Sequence, residues 1–409
     1  MKYIILLGDG MADYPIDYLK GKTPLEYART PHMDWIAVNG TVGLIDTIPE
    51  GLAPGSDVAN LSVLGYDPVK YHTGRGPLEA ASMGVTLEPS DVAFRCNLVT
   101  LSSEKPTIIN DFTSGHITSQ ESKVIIKDLN RELGASLVNF YSGVGYRHLM
   151  VLRGGCPVLT TTPPHDIIGE EIDKYLPKGE RADDIIELMN RSREILKDHP
   201  VNRKRISDGK NPANSIWLWG EGRAPEINPL RERYGIEGGV ISAVDLLKGI
   251  GYYAGLEVLD VEGATGYTDT NYAGKAERAI AYLENNDFIF LHVEAPDEMG
   301  HEGNTEGKIK SIEDFDKKVV GRVLKAMKKA VNFRIAVLSD HPTPVSVRTH
   351  VSDPSPFAVY SSVEGENLMN CRFFGERSAK NGHVMISPGH SFMEYFVNDW
   401  REFIERKGD

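Results

Sequence analysis

The sequence predicts an α/β fold, a mostly parallel sheet flanked by helices and interrupted by an inserted α+β domain. Three observations lead there. Short apolar runs each stop at an acidic or histidine cluster, helical patterns lie between those runs, and a long middle segment lacks this arrangement. At 409 residues the chain is also longer than one ordinary domain needs, which leaves room for an insertion.

The first run, 3–7, leads into Gly8-Asp9-Gly10. The second, 288–293, is followed by Asp297-Glu298-Met299-Gly300-His301, and the third, 334–338, leads into Ser339-Asp340-His341. Runs that are apolar at successive positions read as strands buried on both faces, as in a parallel sheet. Helical spacing appears over 274–285, where Ala and Leu recur among charges, and over 309–331, where Ile312, Phe315, Val319, Val323 and Met327 share a face. Strand and helix in alternation build a parallel sheet, and ligands bind such sheets beyond the carboxyl ends of the strands. Polar residues following three separate strands are therefore expected to meet in one site.

Residues 103–214 are expected to be the inserted domain, with 1–102 and 215–409 forming the core. The insertion has strand patterns over 136–141 and 148–152, a helix pattern over 182–197 and a basic stretch, Arg203-Lys204-Arg205.

With 41% apolar and 25% charged residues the composition is that of a globular chain, which excludes disordered and fibrous classes. The 45 Lys and Arg against 58 Asp and Glu give a net charge of −13, and no long basic run offsets it. Nucleic acid and anionic membranes are thus not expected as partners, whereas a small anion in a local basic pocket is compatible. The cysteines, Cys96, Cys156 and Cys371, are odd in number and lack CxxC spacing, so neither a disulfide framework nor a thiolate zinc site is expected. Five apolar residues before Gly8 are too few for a signal-peptide core, and no run approaches membrane-spanning length. A reducing, cytoplasmic location is the expectation.

Asp9, Asp297, His301, Asp340, His341 and His350 offer the carboxylate and imidazole donors that suit Mn, Zn, Co or Mg. Six such groups are too many for one ion with an open position, so two divalent ions are expected. In 297–301 a glycine precedes the histidine, and a tight turn is expected to aim Asp297 and His301 at one ion. In Pro54-Gly55-Ser56-Asp57, Ser56 is expected at the N-cap of a helix, whose N-terminus favours an anion such as phosphate. A cation nearby would depress its hydroxyl pKa and make it a nucleophile. His116 and Arg147 place cations in the insertion, and Arg75 lies between two glycines that let backbone approach a ligand. A Walker loop is absent, since Gly274-Lys275 is followed by Ala276, and neither GxSxG nor HExxH occurs.

The stretches GDGMAD (8–13), PGSDVANLSVLGYDP (54–68), DEMGH (297–301), SDH (339–341) and HVSDPSPF (350–357) together resemble the cofactor-independent phosphoglycerate mutases, archaeal-type branch, of the alkaline phosphatase superfamily. The resemblance implies an isomerase of glycolysis and gluconeogenesis that interconverts 3-phosphoglycerate and 2-phosphoglycerate through a phosphoserine at Ser56, without 2,3-bisphosphoglycerate. It implies one metal on Asp9, Ser56, Asp340 and His341, and another on Asp297, His301 and His350. His390, in Ser387-Pro388-Gly389-His390, competes for the last place but lacks the H-x-x-x-P-x-P context. His116 is implied as the substrate histidine and general acid/base, with Arg147 as a substrate arginine and Lys275 as a phosphate contact. His148 stands where longer bacterial-type enzymes carry Asp. The same serine and metals serve phosphatases, sulfatases, phosphopentomutases and homoserine kinase-like relatives, which are the alternative. A non-catalytic metal-binding relative is disfavoured by the complete ligand set.

Overall fold

A computed structural model describes residues 1–155, 159–329 and 332–408. Cys156 and the last two residues of the expected 309–331 helix lie outside them. The chain forms two compact units, Met1–His72 with Glu226–Asp409, and Thr73–Pro225.

The first unit is built on an eight-stranded sheet: β1 (Lys2–Gly8), β2 (Thr41–Ile45), β3 (Gly238–Ile241), β4 (Glu257–Val258), β5 (Phe288–Val293), β6 (Phe333–Leu338), β7 (Ser355–Ser361) and β8 (Met385–Ile386). Their order is β4-β3-β5-β1-β6-β7-β2-β8, and every pairing is parallel except the two made by β7. Ile4 to Leu7 are wholly buried, as are β5 and β6 along their whole length, because helices cover both faces. Gly8 pairs with Val293, and Leu7 pairs with both His292 and Leu338. The three strands therefore end at one level, and the residues that follow them emerge along the same edge.

The helix expected over 274–285 is Tyr272–Leu283, started by the Asn271 side chain, which accepts from the Gly274 N–H. The helix expected over 309–331 is interrupted. Thr305–Phe315 passes into a π-helical turn, Asp316–Val320, and then into Gly321–Met327. The wider turn sets the buried Asp316 carboxylate against the start of the helix Pro31–Asn39, where it accepts from the His32 and Met33 N–H groups. Ile312, Phe315, Val319 and Val323 remain wholly buried.

The second unit is α+β. Val92–Leu101 pairs antiparallel with Ile109–Asp111, Arg147–Leu152 and Ser215–Gly222, and Val138–Tyr141 pairs with Arg147–Leu152. The helices include Arg75–Ser82, Ser119–Glu132 and Ala182–Lys197. Compact packing divides the chain at Thr73 and Pro225, outside the 103–214 of the sequence reading. The physical reason is the strand Val92–Leu101, which carries the partners of this second sheet.

Candidate active site

Asp9 follows β1 and is 1% exposed. The next residue, Gly10, has φ +56°, and a Cβ there would lie 2.3 Å from Asp297 Oδ1 and 2.8 Å from Asp297 Cα. Only glycine lets the chain turn here with Asp297 so close.

Asp9, Asp340 and His341 bring ligand atoms within 4.8 Å of one another, a group able to hold a metal ion. Asp340 Oδ1 accepts from the N–H groups of Gly10 (3.1 Å) and His341 (2.9 Å), and its Oδ2 accepts from Asn60 Nδ2 (2.9 Å). Ser56 Oγ lies 3.2 Å from His341 Nε2. Ser56 is not the N-cap it was expected to be: Gly55 occupies that position, and Ser56 is the first residue of the helix Ser56–Val63. Its hydroxyl therefore makes no capping bond and faces the imidazole.

Two features fit a cation in this group. Asp9 Oδ1 is buried and accepts no hydrogen bond. Burial, then the neighbouring Asp340 and Asp297 carboxylates, push the Asp9 carboxyl well above its ordinary range, a penalty that a positive charge relieves.

Asp297, His301 and His350 form the second such group. His301 Nε2 lies 3.2 Å from Asp297 Oδ2, His350 Nε2 lies 3.5 Å from Asp297 Oδ1, and the two Nε2 atoms face one another at 3.0 Å. Each Nδ1 meets a backbone carbonyl, Arg348 O for His301 (3.1 Å) and Pro54 O for His350 (3.4 Å). A carbonyl only accepts, so both Nδ1 atoms carry hydrogen. The converging Nε2 atoms are then where a proton or a metal is taken up. The hydrogen bond to Asp297 raises His301 to about 9, as expected of a site that attracts positive charge. Burial works to raise the Asp297 carboxyl, but hydrogen bonds from His301 and His350 prevail and hold it well below its usual range.

Asp297 and His301 meet through a helix, Ala295–Glu302, where the sequence reading expected a tight turn. Pro296 lies in its first turn, and a spacing of four puts both side chains on one face. Gly300 serves packing, since a Cβ there would lie 2.4 Å from Thr343 O. His390 joins neither group; its Nδ1 is 4.0 Å from Asp67 Oδ1.

Three residues at this edge escaped the sequence reading. His292 Nε2 lies 2.8 Å from Asp9 Oδ2. Thr343 Oγ1 bonds Asp297 Oδ1 and lies 3.3 Å from His341 Nδ1, so it touches both groups. Lys308 Nζ donates to Thr343 O at 2.8 Å. Lys275 has no exposed surface; its Nζ donates to the His292 carbonyl at 3.1 Å, and burial lowers it to about 8. That ammonium supports the protein interior behind Asp9, whereas the resemblance implied a phosphate contact.

Within the second unit, His116 is exposed, with φ +49°. Its loop is held by Asp111, which accepts from the Thr113 and Gly115 N–H groups, and by the buried Arg205, which donates to Ser114 O and Gly115 O. Arg147 is exposed, 5.8 Å from the Tyr146 ring centroid. Arg95, missed because it lies inside a strand, pairs with Glu79 at 2.7 Å and stacks 4.1 Å over Trp219. Burial lowers its pKa first; Arg75 and Arg147 lower it further, so three guanidinium groups share one field. His148 is buried, which lowers it to about 3, and its Nδ1 accepts from the Gly143 N–H.

Residues 37–202 match the family model described as 2,3-bisphosphoglycerate-independent phosphoglycerate mutase. The enzyme of that name from Methanosarcina barkeri is 55% identical over 386 residues, 94% of this chain and 96% of that protein. Its namesake from Methanosarcina mazei is 54% identical over the same shares. Among solved structures, a Pyrococcus horikoshii protein superimposes with a TM-score of 0.82 at 30% identity, covering 98% of this chain and 97% of that one. The cofactor-independent phosphoglycerate mutase of Thermoplasma acidophilum follows with 0.65 at 27% identity, covering 97% and 99%. Among the described residues no helix is long and apolar enough to cross a membrane. Identity at this level over nearly the whole length means that the chain belongs to the 2,3-bisphosphoglycerate-independent phosphoglycerate mutases, a family of isomerases.

Proposed function

We propose that this enzyme interconverts 3-phosphoglycerate and 2-phosphoglycerate through a phosphoserine at Ser56, with two divalent ions and without 2,3-bisphosphoglycerate, as a step of glycolysis and gluconeogenesis. The observation that carries the reading is the uncapped Ser56 hydroxyl 3.2 Å from His341 Nε2, beside a buried carboxylate oxygen of Asp9 that accepts nothing.

Asp9, Ser56, Asp340 and His341 would hold one ion, and Asp297, His301 and His350 the other. Bound there, Mn, Mg, Zn or Co would lower the Ser56 hydroxyl pKa and balance charge on the phosphoryl oxygens. Ser56 Oγ, its hydroxyl proton released to solvent, attacks phosphorus, and the bond from phosphorus to the glycerate oxygen breaks. His116 gives that oxygen a proton, then removes one from the second glycerate hydroxyl, which attacks the phosphoserine and frees Ser56. The first turn of Ser56–Val63 adds the positive end of a helix dipole where the phosphoryl group waits. Arg75 and Arg147 are assigned to the substrate anion, for which guanidinium groups give paired hydrogen bonds. Residues 103–214 contribute substrate recognition in this reading.

The test is incubation with 3-phosphoglycerate alone, without bisphosphoglycerate or ATP, on chelated and Mn-reloaded protein. The expected result is metal-dependent 2-phosphoglycerate with little free phosphate, and a phosphorylated Ser56 peptide on acid quenching. Phosphate as the main product, or turnover only with ATP and an amino-acid alcohol, overturns it.

A further inference from the structure

Asp9 is held from behind by a relay that crosses three adjacent strands. Ser242 directly follows β3, His292 lies in β5 and Asp9 directly follows β1, and all three side chains are buried. The Val244 N–H donates to Ser242 Oγ at 3.0 Å, Ser242 Oγ lies 3.1 Å from His292 Nδ1, and His292 Nε2 lies 2.8 Å from Asp9 Oδ2.

The two ends of the relay set its direction. With a cation beside Oδ1, Asp9 is ionised and only accepts, so Nε2 then carries the imidazole hydrogen and Nδ1 must accept. Ser242 then gives its own hydrogen to Nδ1 while its lone pair takes the Val244 N–H. Every donor in the chain points towards Asp9 Oδ2. The other oxygen, Oδ1, is buried without a hydrogen bond, 3.6 Å from His341 Nε2. Lys275 anchors the His292 backbone from the far side through its carbonyl.

We propose that His292, supported by Ser242, is a positioning residue that commits one oxygen of Asp9 to the protein and presents the other alone to the cation of the Asp9–Asp340–His341 group. A carboxylate without that commitment rotates and offers either oxygen, or both, to the ion. Its affinity then falls although no ligand has been lost; partners of this kind typically contribute about 10–100-fold in metal affinity. The effect is confined to one group, because His292 bonds no residue of the Asp297–His301–His350 group. This inference rests on the two-ion reading above.

The test is calorimetric titration of the full-length metal-free chain with Mn, alone and in a His301→Ala background that leaves only the Asp9 group intact. Two ions on the unsubstituted chain support the two-ion reading, and a single ion overturns that reading. His292 is judged separately, in the His301→Ala background. There His292→Leu should weaken Mn binding about 10–100-fold, and His292→Gln, which keeps an N–H donor near the place of Nε2, should restore most of it. In the otherwise intact chain His292→Leu should weaken one ion and leave the other unchanged. Equal weakening of both ions, no weakening, or a Gln variant no better than Leu overturns the inference. If His292→Leu does not fold, by circular dichroism, Ser242→Ala replaces it and should weaken the same single ion; unchanged binding there overturns the inference equally.

Discussion

Lys308 and Asp13 form an ion pair at 2.8 Å in which neither side chain has any exposed surface. The same ammonium donates to Ala12 O at 3.1 Å and Thr343 O at 2.8 Å, and Asp13 Oδ2 also accepts from the Val345 N–H. One cation on the helix Thr305–Phe315 thus ties the chain leaving β1 to the loop beyond β6. Both segments carry proposed ligands, and Thr343 touches Asp297 and His341 directly. Removing one partner strands the other charge in the interior. Lys308→Met should therefore cost about 3–5 kcal/mol in chemical unfolding of the metal-free chain at pH 7. Asp13→Asn with Lys308→Met should recover part of that loss. A cost below about 1 kcal/mol, the range of an exposed pair, would contradict this role.

Ser56→Ala should abolish turnover and barely change stability. Losing an N-cap costs about 1 kcal/mol, but Ser56 makes no capping bond. The unfolding free energy should fall by no more than about 1 kcal/mol, the net contribution of the one hydrogen bond to His341 that the change removes. Substantial turnover by a fully metallated alanine variant would remove Ser56 as the nucleophile.

Elemental analysis separates the two histidines that compete as ligands. His350→Ala should keep one of two ions, because His350 Nε2 converges with His301 on Asp297. His390→Ala should keep both, since His390 lies beside Asp67. The reverse pattern would show that the second group is drawn with the wrong histidine.

Arg147→Ala should raise KM for 3-phosphoglycerate far more than it lowers kcat, and leave both ions bound. An exposed guanidinium assigned to the substrate anion supplies binding and no ligand atom. An unchanged KM would exclude it.

The strand ends were legible because β1, β5 and β6 are apolar at nearly every position, so the first polar residue beyond each marks the edge of the sheet. Pairing of Gly8 with Val293 and of Leu7 with Leu338 then brings those residues together. The supports behind them were not legible. His292 sits inside an apolar run and reads as one more strand residue, although its imidazole spans the gap from Ser242 to Asp9. Lys308 lies on a helix with other charges, where a lysine reads as solvated, and the resemblance offers Lys275 as a phosphate contact; the burial of both follows from tertiary packing. Gly300 suggested a turn, whereas the space it leaves is taken by the Thr343 carbonyl. Ser56 looked like a cap because Pro-Gly-Ser has that composition, and only backbone geometry moves the cap to Gly55.

The interrupted helix carries a pH dependence of its own. Asp316 is 1% exposed, and burial raises its carboxyl to about 7, more than the N–H groups of His32 and Met33 lower it. In the unfolded chain an aspartate titrates near 3.9. Between these values the folded chain holds a proton that the unfolded chain has released. The contribution is therefore full below pH ~4 and is lost as pH rises to ~7. The difference of roughly three pH units corresponds to at most about 4 kcal/mol. Asp316→Asn keeps an acceptor for the Met33 N–H and cannot ionise. Its stability relative to the parent should improve by up to that amount between pH 4 and pH 8, measured by urea unfolding across the range. A stability difference that does not change with pH would mean that Asp316 ionises in the fold as readily as in the open chain, and that the start of Pro31–Asn39 stabilises its carboxylate as much as burial opposes it.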